Sequence, residues 1–374
     1  MKKNILMLGY EFPPLGGGAG TATYFLLKEF EKFFDISITL ITSSTGAERR
    51  EQFTKNCTIH FLDIGKRTDV QRQSLLDVFT YYRRAKRKAR ELLAKEHFDM
   101  AHAFQGVPAG YIARGLSLPY VVSLRGSDVP GHNPAFRLLY LFLSPCIRAV
   151  WRGASRIVAN SRGLREEALR FESSYSIEVI PNGIEFGNFR SARAGERAPF
   201  TVLYVGRLHP VKGVEYLLEG FTQFALGKHD VKLVLVGSGP LYGKLHKASA
   251  VYDTIDVVGY RKPQELPAIY ESANVFVLPS LGEGMSNTTL EAMASALPII
   301  STDVPGTEEL VSPDNGIVVE KKNSRQIAEA LERLYHDTKS RASMGAASRK
   351  KAEGMSWEKA AKSYYELYKE ICAG

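Results

Sequence analysis

The chain has 374 residues, of which 44% are apolar and 24% charged. That is an ordinary soluble globular composition, which excludes a disordered chain and suits two domains. No apolar run reaches the roughly 18 residues of a spanning helix; the greasiest stretch, Leu138 to Ile147, is interrupted by Pro145. Cys57, Cys146 and Cys372 form no CxxC pair, so neither a disulfide framework nor a structural zinc site is indicated, and a cytoplasmic location is expected. The net charge of +9 is uneven. Residues 1–187 hold 26 basic and 18 acidic side chains, the remainder 23 and 22, which points to an anionic partner for the first half.

The start, MKKNILMLGYEFPP, resembles a signal peptide only superficially, because its apolar run is short and Glu11 and Pro13-Pro14 follow it. It reads as a first buried strand. Further strands are expected at Ile36–Ile41, Thr58–Leu62, Met100–Ala103, Tyr120–Leu124, Arg156–Ala159 and Ile177–Ile180. Amphipathic stretches such as Thr21–Phe33 and Gln71–His97 lie between them. The second half repeats the pattern, with strands at Thr201–Val205, Val231–Val236, Ile255–Val258, Val275–Leu278, Ile299–Ser301 and Ile317–Val319. Strand–helix alternation of this kind gives parallel sheets covered on both faces. The turn-rich, charged run from Pro181 to Pro199 reads as a linker. The expected organisation is an N-terminal domain over 1–185, a C-terminal domain over 186–355 and a closing helix over 356–374 that returns to the first domain. Two doubly wound Rossmann-like α/β domains joined in this way should face one another across a cleft, with ligands at the carboxyl ends of the strands.

Several chemistries are excluded. The glycine loop Gly16–Gly20 lacks the full GxGxxG spacing, and the second strand ends in Thr42-Ser43 without an acid for a ribose. There is no GxxxxGK[ST], HExxH, GxSxG or Asp-x-Asp pair. No metal and no cofactor are therefore expected. Aromatic and basic residues do not interleave as an RNA-reading sheet requires, so no nucleic-acid partner is expected.

What remains suits an anion. Gly16–Gly20 lets backbone approach a ligand at a helix start, or is simply a tight turn. In GRLHPVKG, Arg207 and Lys212 share one short loop and can clamp a diphosphate, or else are solvated charges. In EGMSNTTLE, Glu283 and Glu291 flank the amides of Met285, Ser286 and Asn287. That arrangement is a phosphate cradle between two hydroxyl acceptors, although Thr288-x-x-Glu291 also reads as a capping box.

These motifs, with GGGAG near the start, VGSGP, VVGYRKPQELPAIYESANVFVLPS and EAMASALPIISTDVPGTEELV in register, resemble the retaining family-four glycosyltransferases of the GT-B fold, with the Glu-x7-Glu motif. The resemblance spans essentially the whole chain. It implies that Arg207 and Lys212 neutralise a donor diphosphate, that Glu291 holds the ribose and that Glu283 lies near the transferred sugar. It also implies that Gly17 and Gly18 close over the phosphates, that Met285, Ser286 and Asn287 line the cradle, and that the base lies near Gly237, Gly239 and Arg261. The substrates implied are a UDP or GDP sugar and a glycan or lipid-linked acceptor.

One position departs from the family. Where many relatives carry His-Gly-x-Asp, this chain reads Arg125-Gly126-Ser127-Asp128. Arg125 cannot shuttle a proton, but it can stabilise a leaving phosphate or fix an anionic acceptor; the alternative is a salt bridge to Asp128. Asp128 is expected to orient the acceptor or to cap the next helix. His102, at a strand end, is expected to face the cleft. The window Lys66–Lys95 holds 10 basic and 3 acidic residues, with Leu75, Val78, Phe79, Tyr82, Ala85, Ala89, Leu92 and Leu93 on one stripe. It is expected to be either a core-packed helix with a solvated face or a peripheral dock on an anionic membrane. Two other readings of the whole chain are a nucleotide-sugar epimerase of the same fold and a non-catalytic basic module.

Overall fold

The computed structural model describes residues 2–66, 74–132, 136–191 and 199–373. Part of the expected linker, residues 192–198, and part of the basic window, residues 67–73, lie outside these. The chain divides into two units, residues 1–183 with 357–374, and residues 184–356.

The first unit runs β1 (Lys3–Gly9), α1 (Gly18–Phe30), β2 (Ile36–Ser44), β3 (Arg49–Thr54), β4 (Cys57–Asp63), α2 (Leu75–Leu93), β5 (Met100–Phe104), α3 (Tyr111–Arg114), β6 (Tyr120–Leu124), α4 (Arg137–Gly153), β7 (Arg156–Ala159), α5 (Arg162–Phe171) and β8 (Ile177–Val179). Its sheet has the order β3-β4-β2-β1-β5-β6-β7-β8 and is parallel except for β3. The central strands are apolar on both faces because helices cover both: Ile5, Leu6, Met7 and Leu8 are all fully buried. One core packs α2, α3 and α4 against the sheet and the other packs α1 and the terminal helix. Edge strand β3 (RREQFT) is polar and largely exposed, so no apolar alternation announces it.

The second unit runs β9 (Phe200–Val205), α6 (Val214–Phe224), β10 (Val231–Val236), α7 (Tyr242–Ser249), β11 (Ile255–Gly259), α8 (Leu266–Glu271), β12 (Val275–Leu278), α9 (Asn287–Ala294), β13 (Ile299–Thr302), α10 (Thr307–Leu310), β14 (Gly316–Val319), α11 (Ser324–His336) and α12 (Thr338–Glu353). Its order, β11-β10-β9-β12-β13-β14, is wholly parallel and reverses direction between β9 and β12. Reversal points of this kind open a crevice at the carboxyl edge.

The last helix, α13 (Trp357–Ala373), belongs to the first unit. Trp357 stacks on Phe25 with ring centroids 5.8 Å apart, and Tyr365 stacks on Phe33 at 4.3 Å. Among the described residues, no helix is long and apolar enough to cross a membrane.

Candidate active site

In the second unit, loops from adjacent strands are drawn into backbone contact at the reversal point. Gly213 has φ +63°, and a Cβ there would lie 2.0 Å from the Pro279 carbonyl oxygen. A Cβ on Gly237 (φ +143°) would lie 1.8 Å from the Gly206 oxygen. Only glycine fits such positions. These approaches bring the loop after β9 against those after β10 and β12. The buried Tyr204 hydroxyl donates to the Arg207 carbonyl at 2.8 Å, and the Leu281 amide donates to the Val211 carbonyl at 2.8 Å. The loop that carries Arg207 and Lys212 is thus fixed from both sides.

The Lys212 ammonium meets the Glu283 carboxylate at 2.5 Å, with both side chains mostly buried at 16% and 11% exposure. The exposed Arg207 guanidinium has no hydrogen bond or ion pair among the described residues. Among the described residues the lysine charge is therefore balanced and the arginine charge is not. An anion arriving here meets one free guanidinium and one ammonium that it can share with Glu283.

The loop after β12 leads into α9 through Ser286, whose hydroxyl accepts from the Thr289 amide at 3.1 Å. The helix therefore starts two residues earlier than the Thr288-x-x-Glu291 capping box requires, and that alternative is corrected: Glu291 is not spent on a cap. Instead it accepts a hydrogen bond from the buried Tyr270 hydroxyl at 2.8 Å. Burial pushes the Glu291 carboxyl up to about 7, and the Tyr270 bond pulls the other way. Met285 and Ser286 are buried, whereas Asn287 is partly exposed. Gly239 (φ +151°) packs its backbone on the Leu208 carbonyl, and Arg261 donates to the Tyr260 carbonyl at 3.1 Å. The structure thus brings Arg207, Lys212, Glu283, Gly237 and Gly239 onto touching loops. Tyr204 and Tyr270 are supports that no motif announced.

In the first unit the expectations fare differently. The Gly17 and Gly20 amides, at the start of α1, donate to the Glu11 carboxylate at 2.8 and 3.3 Å. The glycine loop does hold an anion, and in this structure the anion is the chain's own. Asp128 neither pairs with the Arg125 side chain nor caps a helix. Its Oδ1 accepts from the Arg125 and Gly126 amides (2.8 and 3.0 Å) and its Oδ2 from the Gly106 amide (2.8 Å). The carboxylate thus ties two loops together, and Asp128 as a whole is only 8% exposed, which corrects the expectation that it orients an acceptor directly. Arg125 lies over the Phe104 ring at 3.7 Å and donates to Asn182 (2.9 Å) and to the Tyr364 hydroxyl (3.1 Å).

His102 is fully buried beneath α13, between Tyr368 (2.6 Å) and Ser123 (2.7 Å). Burial, and then Arg125, push its pKa down to about 3. Its expected exposure to a cleft is corrected: the aromatic face of the terminal helix covers this part of the sheet, and the ring is a structural hydrogen-bonding group. A different histidine flanks the 125–128 loop. His132 meets Glu167 at 2.7 Å, and its Nε2 would lie 2.9 Å from a Cβ on Gly126. It stands alone in the sequence, 35 residues from its partner, so no spacing signals the pair.

The family described as Glycosyltransferase Family 4 matches residues 16–187, and Glycosyl transferases group 1 matches residues 199–337. The capsular polysaccharide biosynthesis glycosyltransferase CapM of Staphylococcus aureus is 31% identical over 288 residues, covering 71% of this chain and 74% of that protein. This chain belongs to the family-four glycosyltransferases. The glycosyltransferase is also 30% identical over 257 residues to the putative teichuronic acid biosynthesis glycosyltransferase TuaC of Bacillus subtilis, covering 64% of this chain and 62% of that protein. Its fold matches sucrose-phosphate synthase of Thermosynechococcus elongatus with a TM-score of 0.85 at 20% identity over the whole of both chains. It also matches HepE of Anabaena, solved in complex with UDP-glucose, with a TM-score of 0.74 at 17% identity over 98% and 99% of the two chains. The two parallel α/β sheets are those of the GT-B fold.

Proposed function

We propose that the glycosyltransferase moves a sugar from a nucleotide-diphosphate donor, of the UDP or GDP type, to a hydroxyl of a glycan or lipid-linked acceptor with retention of configuration. The reading rests on one observation above all: an uncompensated Arg207 beside the Lys212–Glu283 pair, on loops locked together at the sheet's reversal point. As the donor's anomeric bond breaks, negative charge grows on the diphosphate and positive charge on the sugar. Arg207 and Lys212, with amides at the start of α9, stabilise the first. Lys212 moves part of its interaction from Glu283 to the phosphate, which frees the Glu283 carboxylate to face the sugar.

Glu291, supported by Tyr270, accepts the ribose hydroxyls once it is ionised. Gly237, Gly239 and Arg261 border the base, mainly through backbone. Gly17 and Gly18 reach phosphate only after Glu11 gives up their loop. Arg125 stands ready for an anionic group of the acceptor, held by Asn182 and Tyr364. The N-terminal unit, 1–185 with the closing helix, takes the acceptor, and 186–355 takes the donor. The ligands of fold relatives, UDP-glucose in HepE and UDP and GlcNAc in the pneumococcal O-GlcNAc transferase GtfA, support a UDP sugar. The basic segment 66–95 is read as facing an anionic membrane surface.

A thermal-shift panel of UDP, GDP and ADP with their sugars tests the donor reading. One nucleotide series should raise the melting temperature, and Arg207→Ala and Glu291→Ala should each abolish the rise. A panel without any response, or a response that survives both substitutions, overturns it.

A further inference from the structure

Away from the donor residues, the first unit carries an apolar surface that its core does not use. On α4, Tyr140, Ile147, Val150 and Trp151 face the core, yet Leu138, Leu141 and Phe142 remain 75%, 70% and 77% exposed. A helix lying on a soluble core puts polar residues on its outer side. Helix α2 repeats the anomaly. Tyr81, Ala85, Ala89 and Leu92 are buried, while Leu75, Leu76 and Phe79 are 71%, 77% and 57% exposed. Of the expected apolar stripe of α2, Leu75 and Phe79 thus lie outside the core. From Leu76 and Phe79 the outer stripe continues at helical spacing into Arg83, Arg87 and Arg90, all exposed.

The two patches share one edge of the first unit. Helices α2 and α4 each connect parallel strands and so run back against them, which places both amino ends at the carboxyl edge of the sheet. Both pack in the same core with α3, where Tyr82 and Tyr111 lie 5.9 Å apart. The Arg125–Asp128 loop follows β6 at that same edge and leads into α4.

We propose that this edge docks on an anionic lipid bilayer, with the exposed Leu and Phe side chains of α2 and α4 entering the acyl boundary and Arg83, Arg87 and Arg90 lying among the headgroups. An apolar row flanked by cations on one helix face is what an interfacial helix needs, because acyl burial and attraction to anionic lipid act together. A second copy of the chain fits less well. It would bring a half-chain with 26 basic and 18 acidic residues against its like. The docked edge sets the Arg125 loop at the membrane surface, where a lipid-linked acceptor presents its polar head; this last step rests on the glycosyltransferase reading above.

The test is co-sedimentation with vesicles of phosphatidylcholine alone and of phosphatidylcholine with one-third phosphatidylglycerol. It uses the full chain, Leu138→Gln/Leu141→Gln/Phe142→Gln and Arg83→Ala/Arg87→Ala/Arg90→Ala, each also heated with and without UDP. The wild type should pellet with the anionic vesicles and keep a salt-resistant bound fraction. The apolar variant should lose that fraction. The arginine variant should bind about fivefold more weakly per residue removed. Equal behaviour towards both vesicles, or binding that neither triple variant weakens, overturns the proposal. So does a dimer in sedimentation velocity that the apolar variant dissolves, which would assign the patch to a second copy. Failure of the donor reading shows separately, as absence of a melting shift with any nucleotide of the panel above, whatever the vesicles do.

Discussion

Replacing Glu291 by Gln should make the empty protein more stable at alkaline pH and unable to hold a donor. The Glu291 carboxyl is raised from an ordinary 4.5 to about 7 by burial. That difference corresponds to about 3 kcal/mol. The unfolded chain releases this proton near its ordinary value and the folded chain releases it near neutrality, so between those values the folded state binds more protons. Stability therefore falls as pH rises through this window, and the full cost is present above it. Glutamine cannot ionise, yet its amide oxygen can still accept the Tyr270 hydroxyl. Well below the window the two proteins should melt together. Above pH about 8 the variant should melt roughly 6–12 °C higher, at about 2–4 °C per kcal/mol for a unit of this size. Calorimetry of the empty proteins at both ends of the window reads the difference, and added UDP should then raise only the wild type. A variant no more stable than wild type at the alkaline end, or one that still responds fully to UDP, refutes the reasoning.

Three further outcomes follow from the same geometry. Tyr270→Phe removes the one hydrogen bond that favours the ionised Glu291. The carboxyl should then titrate higher still, so UDP affinity should drop most at neutral pH and recover as pH rises, read by titration calorimetry across pH. Gly213→Ala forces a Cβ to within 2.0 Å of the Pro279 carbonyl in left-handed backbone; chemical denaturation should show a loss of about 2 kcal/mol or more. Tyr364→Phe deprives Arg125 and Ser123 of a shared partner. It should cost about 1–3 kcal/mol of stability while leaving the UDP-dependent melting shift intact.

Much of this was legible in the residues. Apolar β-branched runs marked the strands of both sheets, because strands buried on two faces leave little room for polar side chains. The loops of the candidate site were legible because glycine, arginine and lysine stood at fixed offsets after those strands. What stayed hidden depends on long-range packing. Strand β3 pairs on an exposed edge, where RREQFT needs no apolar pattern. His102 looked like a strand-end ligand until α13, more than 250 residues later, covered it with Tyr368. Asp128 was read as an acceptor ligand, a helix cap or a partner of the Arg125 side chain, yet its three amide partners come from the loops after β5 and β6. Glu11 was visible as an acid near a glycine loop, but its role as that loop's own anion needed the turn between them. The α2 stripe was read as either core or membrane dock because a helical stripe does not say which face it turns inward, and Leu138, Leu141 and Phe142 of α4 lay in a run read only as too short to span a membrane.

The account turns on where a sugar nucleotide lies. A crystal soaked with a UDP sugar tests it most directly. The predicted result is diphosphate oxygens within hydrogen-bonding distance of the Arg207 guanidinium and the Lys212 ammonium, with the ribose hydroxyls on Glu291. Nucleotide density that touches none of these three residues would contradict it.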